Sequence, residues 1–335
     1  MEQTMQLNSV EPKKSLFDKW FSKPLFKQTL KSTWVLWLIM TLGSAAIFFI
    51  INIVVCSKNI FTTMEMEKVT VYVQDENLQW LQILGLLENM GFNLSRIQVM
   101  SRIDLNSVMN DLVYKIAGVL LPMIYVMITA NSLIASQVNS GSMAYILSTP
   151  TSRKTVIRTN YAYMVLSLIA MYAVILGFAL GSETIAGIIR IKANGGSANM
   201  IPLRTVLYCF ASFCAMFALT GICFGASAFF NKSTQSIAVG GGACILSFIC
   251  CIMGLFGNKV FVSVGVGVEA MNVFNYASLF TLIDTESMSA FAKASAGLDV
   301  ATSFNWIWEI GILLAVGVIF ALIGSIKFVK KDLPL

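Results

Sequence analysis

Six long apolar runs organise this chain, near residues 34–55, 112–136, 160–181, 205–229, 237–256 and 306–327. Each is long enough to cross about 30 Å of hydrocarbon as a helix. A backbone inside a bilayer must satisfy its own hydrogen bonds, so the runs predict an all-α integral membrane protein with six transmembrane helices. Composition agrees: 12% of residues are charged, against roughly 25% in soluble domains, and mean hydropathy is +0.76. The polar remainder falls into segments 56–111, 182–204 and 257–305 and a short island at 137–159.

In such a chain the net charge of +6 bears on orientation and does not imply a nucleic-acid partner. With the N-terminus inside, one side receives Lys13, Lys14, Lys19, Lys23, Lys27 and Lys31, then Arg153, Lys154, Arg158, Lys232, Lys327, Lys330 and Lys331. The other side's basic residues are spread over far more chain. Both termini and the 137–159 island are therefore expected in the cytoplasm. The lysine-rich stretch before the first run, and that run's length, do not fit a cleavable signal peptide.

Several chemistries are excluded. With no histidine in the chain, His-based acid–base catalysis, His-containing metal sites and His triads are out. There is no Gly-x-x-x-x-Gly-Lys-Ser/Thr, no HExxH, no CxxC and no Gly-x-Ser-x-Gly. Six of the seven cysteines lie within apolar runs and behave there as small hydrophobes; Cys56 stands alone at a span end. The sequence predicts no catalytic, cofactor-binding or metal-binding residue.

Residues 12–33 interleave lysines with Leu16, Phe17, Trp20, Phe21, Leu25, Phe26 and Leu30. The pattern is that of a helix lying in the membrane interface, bent at Pro24, or of a basic flank anchoring the first span. In 56–111, Lys68–Val73 alternates like a short strand, and a helix capped by Asp75 or Asn77 is expected to stop at Gly91. In 257–305 the pieces Val262–Val268 and Phe274–Leu282 are too short to span. They fit re-entrant or interfacial helices, or an ordinary packed outer loop.

The island is the most specific feature. Ser140 or Ser142 can cap a short helix whose apolar side carries Met143, Tyr145, Ile146 and Leu147. Pro150 ends it, and Thr151 can cap the next helix, which carries Arg153, Lys154 and Arg158. The result is a basic-flanked knuckle suited to docking on a soluble partner, with Met143, Tyr145 and Leu147 as candidate anchors.

The stretch Gly141-Ser142-Met143-Ala144-Tyr145-Ile146-Leu147-Ser148-Thr149-Pro150-Thr151-Ser152-Arg153-Lys154 resembles the cytoplasmic loop between the second and third spans of type-2 ABC exporter permeases of the Gram-positive bacterial kind. Phe274-Asn275-Tyr276-Ala277-Ser278-Leu279-Phe280-Thr281-Leu282-Ile283-Asp284 is similar to a segment before that family's last span. The resemblance covers nearly the whole chain. It implies a cytoplasmic N-terminus and interfacial elbow helix at 1–33 and a six-span permease domain at 34–335 in a bacterial plasma membrane. It also implies a second permease copy, two separate ABC ATPase subunits carrying ATP and Mg, and coupling through Met143, Ala144, Tyr145, Ile146, Leu147, Ser148, Thr149, Pro150 and Arg153.

The spans offer aromatic, methionine and cysteine side chains, which suits an amphipathic or hydrophobic cargo such as a peptide toxin, bacteriocin, antibiotic or lipid-like molecule. A non-transporting sensor, channel or scaffold is the alternative. Two charges stand within or close to the runs, Lys115 and Glu309, at similar depth near the outer ends of the second and sixth spans. They form an outer ion pair or snorkel separately to water. Gly240, Gly241, Gly242 and Ala243 permit close helix approach, between two copies or within one.

Overall fold

Lysines break the apolar character before residue 34, yet helix α1 runs without interruption over Lys23–Ser57. Pro24 is its second residue, where a missing N–H costs nothing, so it starts the helix and does not bend it. The expected boundary at 33/34 is therefore no structural break; residues 1–20 lie outside those described. The computed structural model describes residues 21–57, 114–115, 118–148, 151–194, 201–257, 262, 268–298 and 300–331. The strand and helix expected within 56–111 fall outside this set.

Six helices among the described residues are long and apolar enough to cross a membrane, matching the six runs. After α1 come α2 (Gly118–Leu133) and α3 (Ala135–Asn139), which together make the second span. A short helix α4 (Ser142–Ser148) leads to α5 (Arg153–Asn194), α6 (Pro202–Phe229) and α7 (Ser233–Phe256). Two 3₁₀ segments, Glu269–Tyr276 and Leu279–Leu282, precede α8 (Thr285–Ser295) and the last span, α9 (Asn305–Lys330). At 42 residues α5 is roughly 63 Å long and absorbs much of the polar segment expected at 182–204.

Each interruption of a helix has its freed carbonyl answered. Pro122 lacks the N–H that would bond the Gly118 carbonyl, and the Tyr172 hydroxyl donates to that carbonyl at 3.3 Å. At Ile134 the second span breaks between α2 and α3, and Asn160 Nδ2 donates to the Leu133 carbonyl at 3.1 Å. Both donors sit on α5, which thereby holds the second span along its length.

α1 and α5 run parallel. Their contacts climb in step from the Ser22 N–H on Thr159 Oγ1 (3.1 Å), through the shared hydrogen bond of the Thr33 and Tyr163 hydroxyls and Trp37 Nε1 on the Ser167 carbonyl (2.9 Å), to Phe49 against Phe178. α6 and α9 also run parallel, so closely that their glycines meet. A Cβ on Gly221 would lie 2.1 Å from the Gly317 carbonyl oxygen, and one on Gly324 would lie 2.6 Å from Gly225 Cα. Small residues permit such backbone contact where no aqueous hydrophobic effect drives helices together. α2 and α6 are the most buried spans and form the centre; α1, α5, α7 and α9 present long apolar faces outward.

Gly240 and Gly241 pack inside the subunit: a Cβ added to Gly240 would lie 3.2 Å from Cys223 Cα, and one added to Gly241 would lie 3.1 Å from Met127 Cε. Gly242 alone of the three faces open space. The chain after α7 folds back along it. Asn275 Nδ2 donates to the Gly254 carbonyl, Ser278 Oγ donates to the Ser247 carbonyl at 2.9 Å, and Ser247 Oγ accepts from the Leu279 N–H. Ser247 lies nine residues before the end of α7, about 13 Å along the axis, so the returning chain reaches that far back beside α7.

Candidate functional site: the knuckle at the basic end

The start of α5, the ends of α6 and α9, the start of α7 and the knuckle all meet at one end of the bundle, where Arg153, Lys154, Arg158, Lys232, Lys327, Lys330 and Lys331 cluster in sequence terms. The knuckle is built from local rules. α3 ends at Ser140, and Gly141 follows with φ +74°, the left-handed turn that glycine makes without a Cβ penalty. The Ser140 and Ser142 hydroxyls both donate to the Gln137 carbonyl and meet each other at 2.9 Å, closing the end of α3. The cap of α5 differs from the expected one. Ser152 Oγ accepts from the Thr155 N–H at 3.2 Å, while Thr151 Oγ1 donates to the Ile146 carbonyl and laces the knuckle shut.

α4 rolls so that its apolar side chains part company. Met143 is 2% exposed and belongs to the permanent core, and Ile146 and Leu147 pack half-buried against that core. Tyr145 is 80% exposed and projects from the end of the bundle. Met143 and Leu147, expected as anchors for a partner, thus serve the chain's own packing, because a seven-residue helix must bury one face to persist. Ala144 is half-buried; Ser148 is exposed, its hydroxyl donating to the Tyr145 carbonyl. Thr149 and Pro150 lie outside the described residues.

Arg153 does not point outward with Tyr145. Its Nη1 donates at 2.9 Å to the carbonyl of Lys331, the C-cap of α9. Lys331 Nζ in turn donates at 3.3 Å to the Ala228 carbonyl at the end of α6, and Lys327 Nζ stands 5.2 Å from the centre of the Phe229 ring. Burial, and then the neighbouring Lys327, bring the Lys331 amine down to about 8.

At the opposite end, Glu309 Oε2 is buried without a hydrogen-bond partner. A further buried charge escaped the sequence reading. Glu183, inside the third span, accepts from Thr205 Oγ1 at 2.6 Å and lies 3.9 Å from Arg204 Nη2. Hydropathy placed the end of that span at residue 181, two residues short of it; the signals available were a carboxylate just past the end of one run and an arginine, Arg204, just before the start of the next.

A model of the ABC-2 family transporter proteins matches residues 26–333. The chain belongs to the ABC-2 transporter family. It is a transmembrane ABC transporter subunit, a multi-pass membrane protein, and family membership implies association with an ABC ATPase subunit. Searches of curated proteins and of solved structures gave no match. In this ABC-2 permease, the knuckle places an exposed aromatic side chain, Tyr145, on a short, internally braced helix between the second and third spans. Among the described residues, no group of three or more His, Cys, Asp or Glu is placed to hold a metal ion.

Proposed function

We propose that this permease belongs to an ATP-driven exporter in a bacterial plasma membrane, with both termini and the basic end in the cytoplasm. Two copies pair about an axis normal to the membrane, and each docks one ATPase subunit on its knuckle. The chain itself catalyses nothing; ATP and Mg act on the partner. The observation that carries this reading is Tyr145, 80% exposed on a helix whose other apolar side chains are held by the core. A rigid aromatic that stands clear of its own protein is the kind of group that anchors an interface. The concentration of lysine and arginine at that end supports its cytoplasmic placement.

The cargo is amphipathic or hydrophobic. The outward faces of α1, α7 and α9 offer Leu, Ile, Val, Trp and Phe, which supports a pathway of apolar character between copies. At the outer end, Lys115 and Glu309 form an ion pair, supported by the similar depth at which the two residues stand near the outer ends of the second and sixth spans.

The test is Tyr145→Asp in the full-length chain. The variant inserts and stays monodisperse in detergent, but the ATPase subunit no longer copurifies and stimulated hydrolysis falls to the background level. Leu147 is left alone, because changing it would disturb the core as well as the surface. A Tyr145→Asp chain that still retains its ATPase would refute docking at the knuckle.

A further inference from the structure

Three helix ends with unlike dipoles converge beside the knuckle. The last four carbonyls of a helix lack intrahelical partners and carry partial negative charge. α6 and α9 bring two such ends together, the first ending around Ala228 and the second just before Lys331, and α5 opposes them with its N-terminus. Arg153, the first residue of α5, lays a charged donor at 2.9 Å on the carbonyl of Lys331, the residue that caps the end of α9. Lys331 then hands its own amine to α6. Below this junction α6 and α9 touch backbone to backbone at Gly221 and Gly317 and at Gly225 and Gly324, so neither can slide without the other. α9 runs roughly 39 Å to the far end, where the Trp306 ring tilts against Phe291 with centroids 5.6 Å apart and Ser303 meets Ser287.

We propose that Arg153 is a positioning residue that straps the knuckle to the last span, so that the α6–α9 pair moves with the knuckle when the ATPase closes. Arg153 acts within the permease and is not a contact for the ATPase, in contrast to Tyr145. The inference rests on docking at the knuckle, but the strap itself is a property of the permease alone.

The experiment places distance labels at positions 154 and 330 through noncanonical amino acids and follows them in the permease alone and in the ATPase complex, nucleotide-free and ATP-trapped. The wild-type distance is narrow and the same in both nucleotide states. In Arg153→Ala it broadens in the permease alone and differs between the two states. The ATPase still copurifies, and its stimulated hydrolysis falls at least fivefold. Arg153→Lys, which keeps one charged donor, restores the narrow distance, and this separates the strap from general misfolding. An Arg153→Ala distance like the wild type overturns the strap. So does loss of the ATPase from Arg153→Ala, which would make the residue a contact. If the wild-type chain itself retains no ATPase, the docking reading fails, and the distances in the permease alone still decide the strap.

Discussion

Adding one methyl group at Gly221 tests whether the α6–α9 seam holds the bundle together. The new Cβ would lie 2.1 Å from the Gly317 oxygen and 2.7 Å from that residue's carbonyl carbon and Cα. These are backbone atoms, so no rotamer change can relieve the clash. Relaxation to normal contact requires the two helices to part by more than about 1 Å, and a gap of that size forfeits a quarter to a half of the dispersion energy along the seam. Overpacking of this kind costs about 1–3 kcal/mol, of which alanine's better helix propensity returns about 0.5–1 kcal/mol. The mid-range net cost is about 1.25 kcal/mol, and at about 2–4 °C per kcal/mol for chains of a few hundred residues the detergent-solubilised Gly221→Ala permease should melt roughly 2.5–5 °C below wild type. Gly311→Ala, on α9 with nothing within 4 Å of its Cβ, is the control and should melt at or slightly above wild type. The assay is thermal unfolding followed by intrinsic fluorescence. Equal melting of the two variants would refute the seam as a close backbone contact.

Two further outcomes follow from the charged groups. The Lys331 amine sits near 8 in the folded chain against an ordinary value of 10.5, so between those pH values the unfolded chain binds the extra proton. Stability of the wild type therefore rises from pH 8 towards pH 10.5 relative to Lys331→Met, in which this contribution is absent, and melting curves at pH 7.5 and 9.5 measure the difference. A difference of opposite sign would show that Lys331 is not desolvated at the junction. For the outer pair, Lys115→Glu and Glu309→Lys should each impair assembly or transport, and the double exchange should recover much of the loss; a double variant no better than the worse single one leaves separate snorkelling as the explanation.

The six spans and the knuckle between the second and third were legible in the chain itself. Burying a helix in hydrocarbon is decided residue by residue, so hydropathy summed over twenty positions finds it without any knowledge of neighbours. Glycine at 141 and proline at 150 act locally in the same way, which is why the knuckle's position could be read from residues alone. Its orientation could not. Met143, Tyr145 and Leu147 are all apolar, and only packing against the core decides that Met143 goes inside and Tyr145 outside. The same holds for Ser152 and Thr151, adjacent hydroxyls of which one caps α5 and the other reaches the Ile146 carbonyl. Gly221 and Gly317 lie in different spans, and nothing in either run marks it as the other's partner. Glu183 and Arg204 meet only because α5 and α6 are antiparallel neighbours, and Arg153 finds the Lys331 carbonyl because α9 ends beside the start of α5. Transfer into a membrane is a sum over single residues and can be read in one dimension. Contact between helices depends on pairs of distant residues meeting at one depth and one angle, and the folded arrangement alone supplies those.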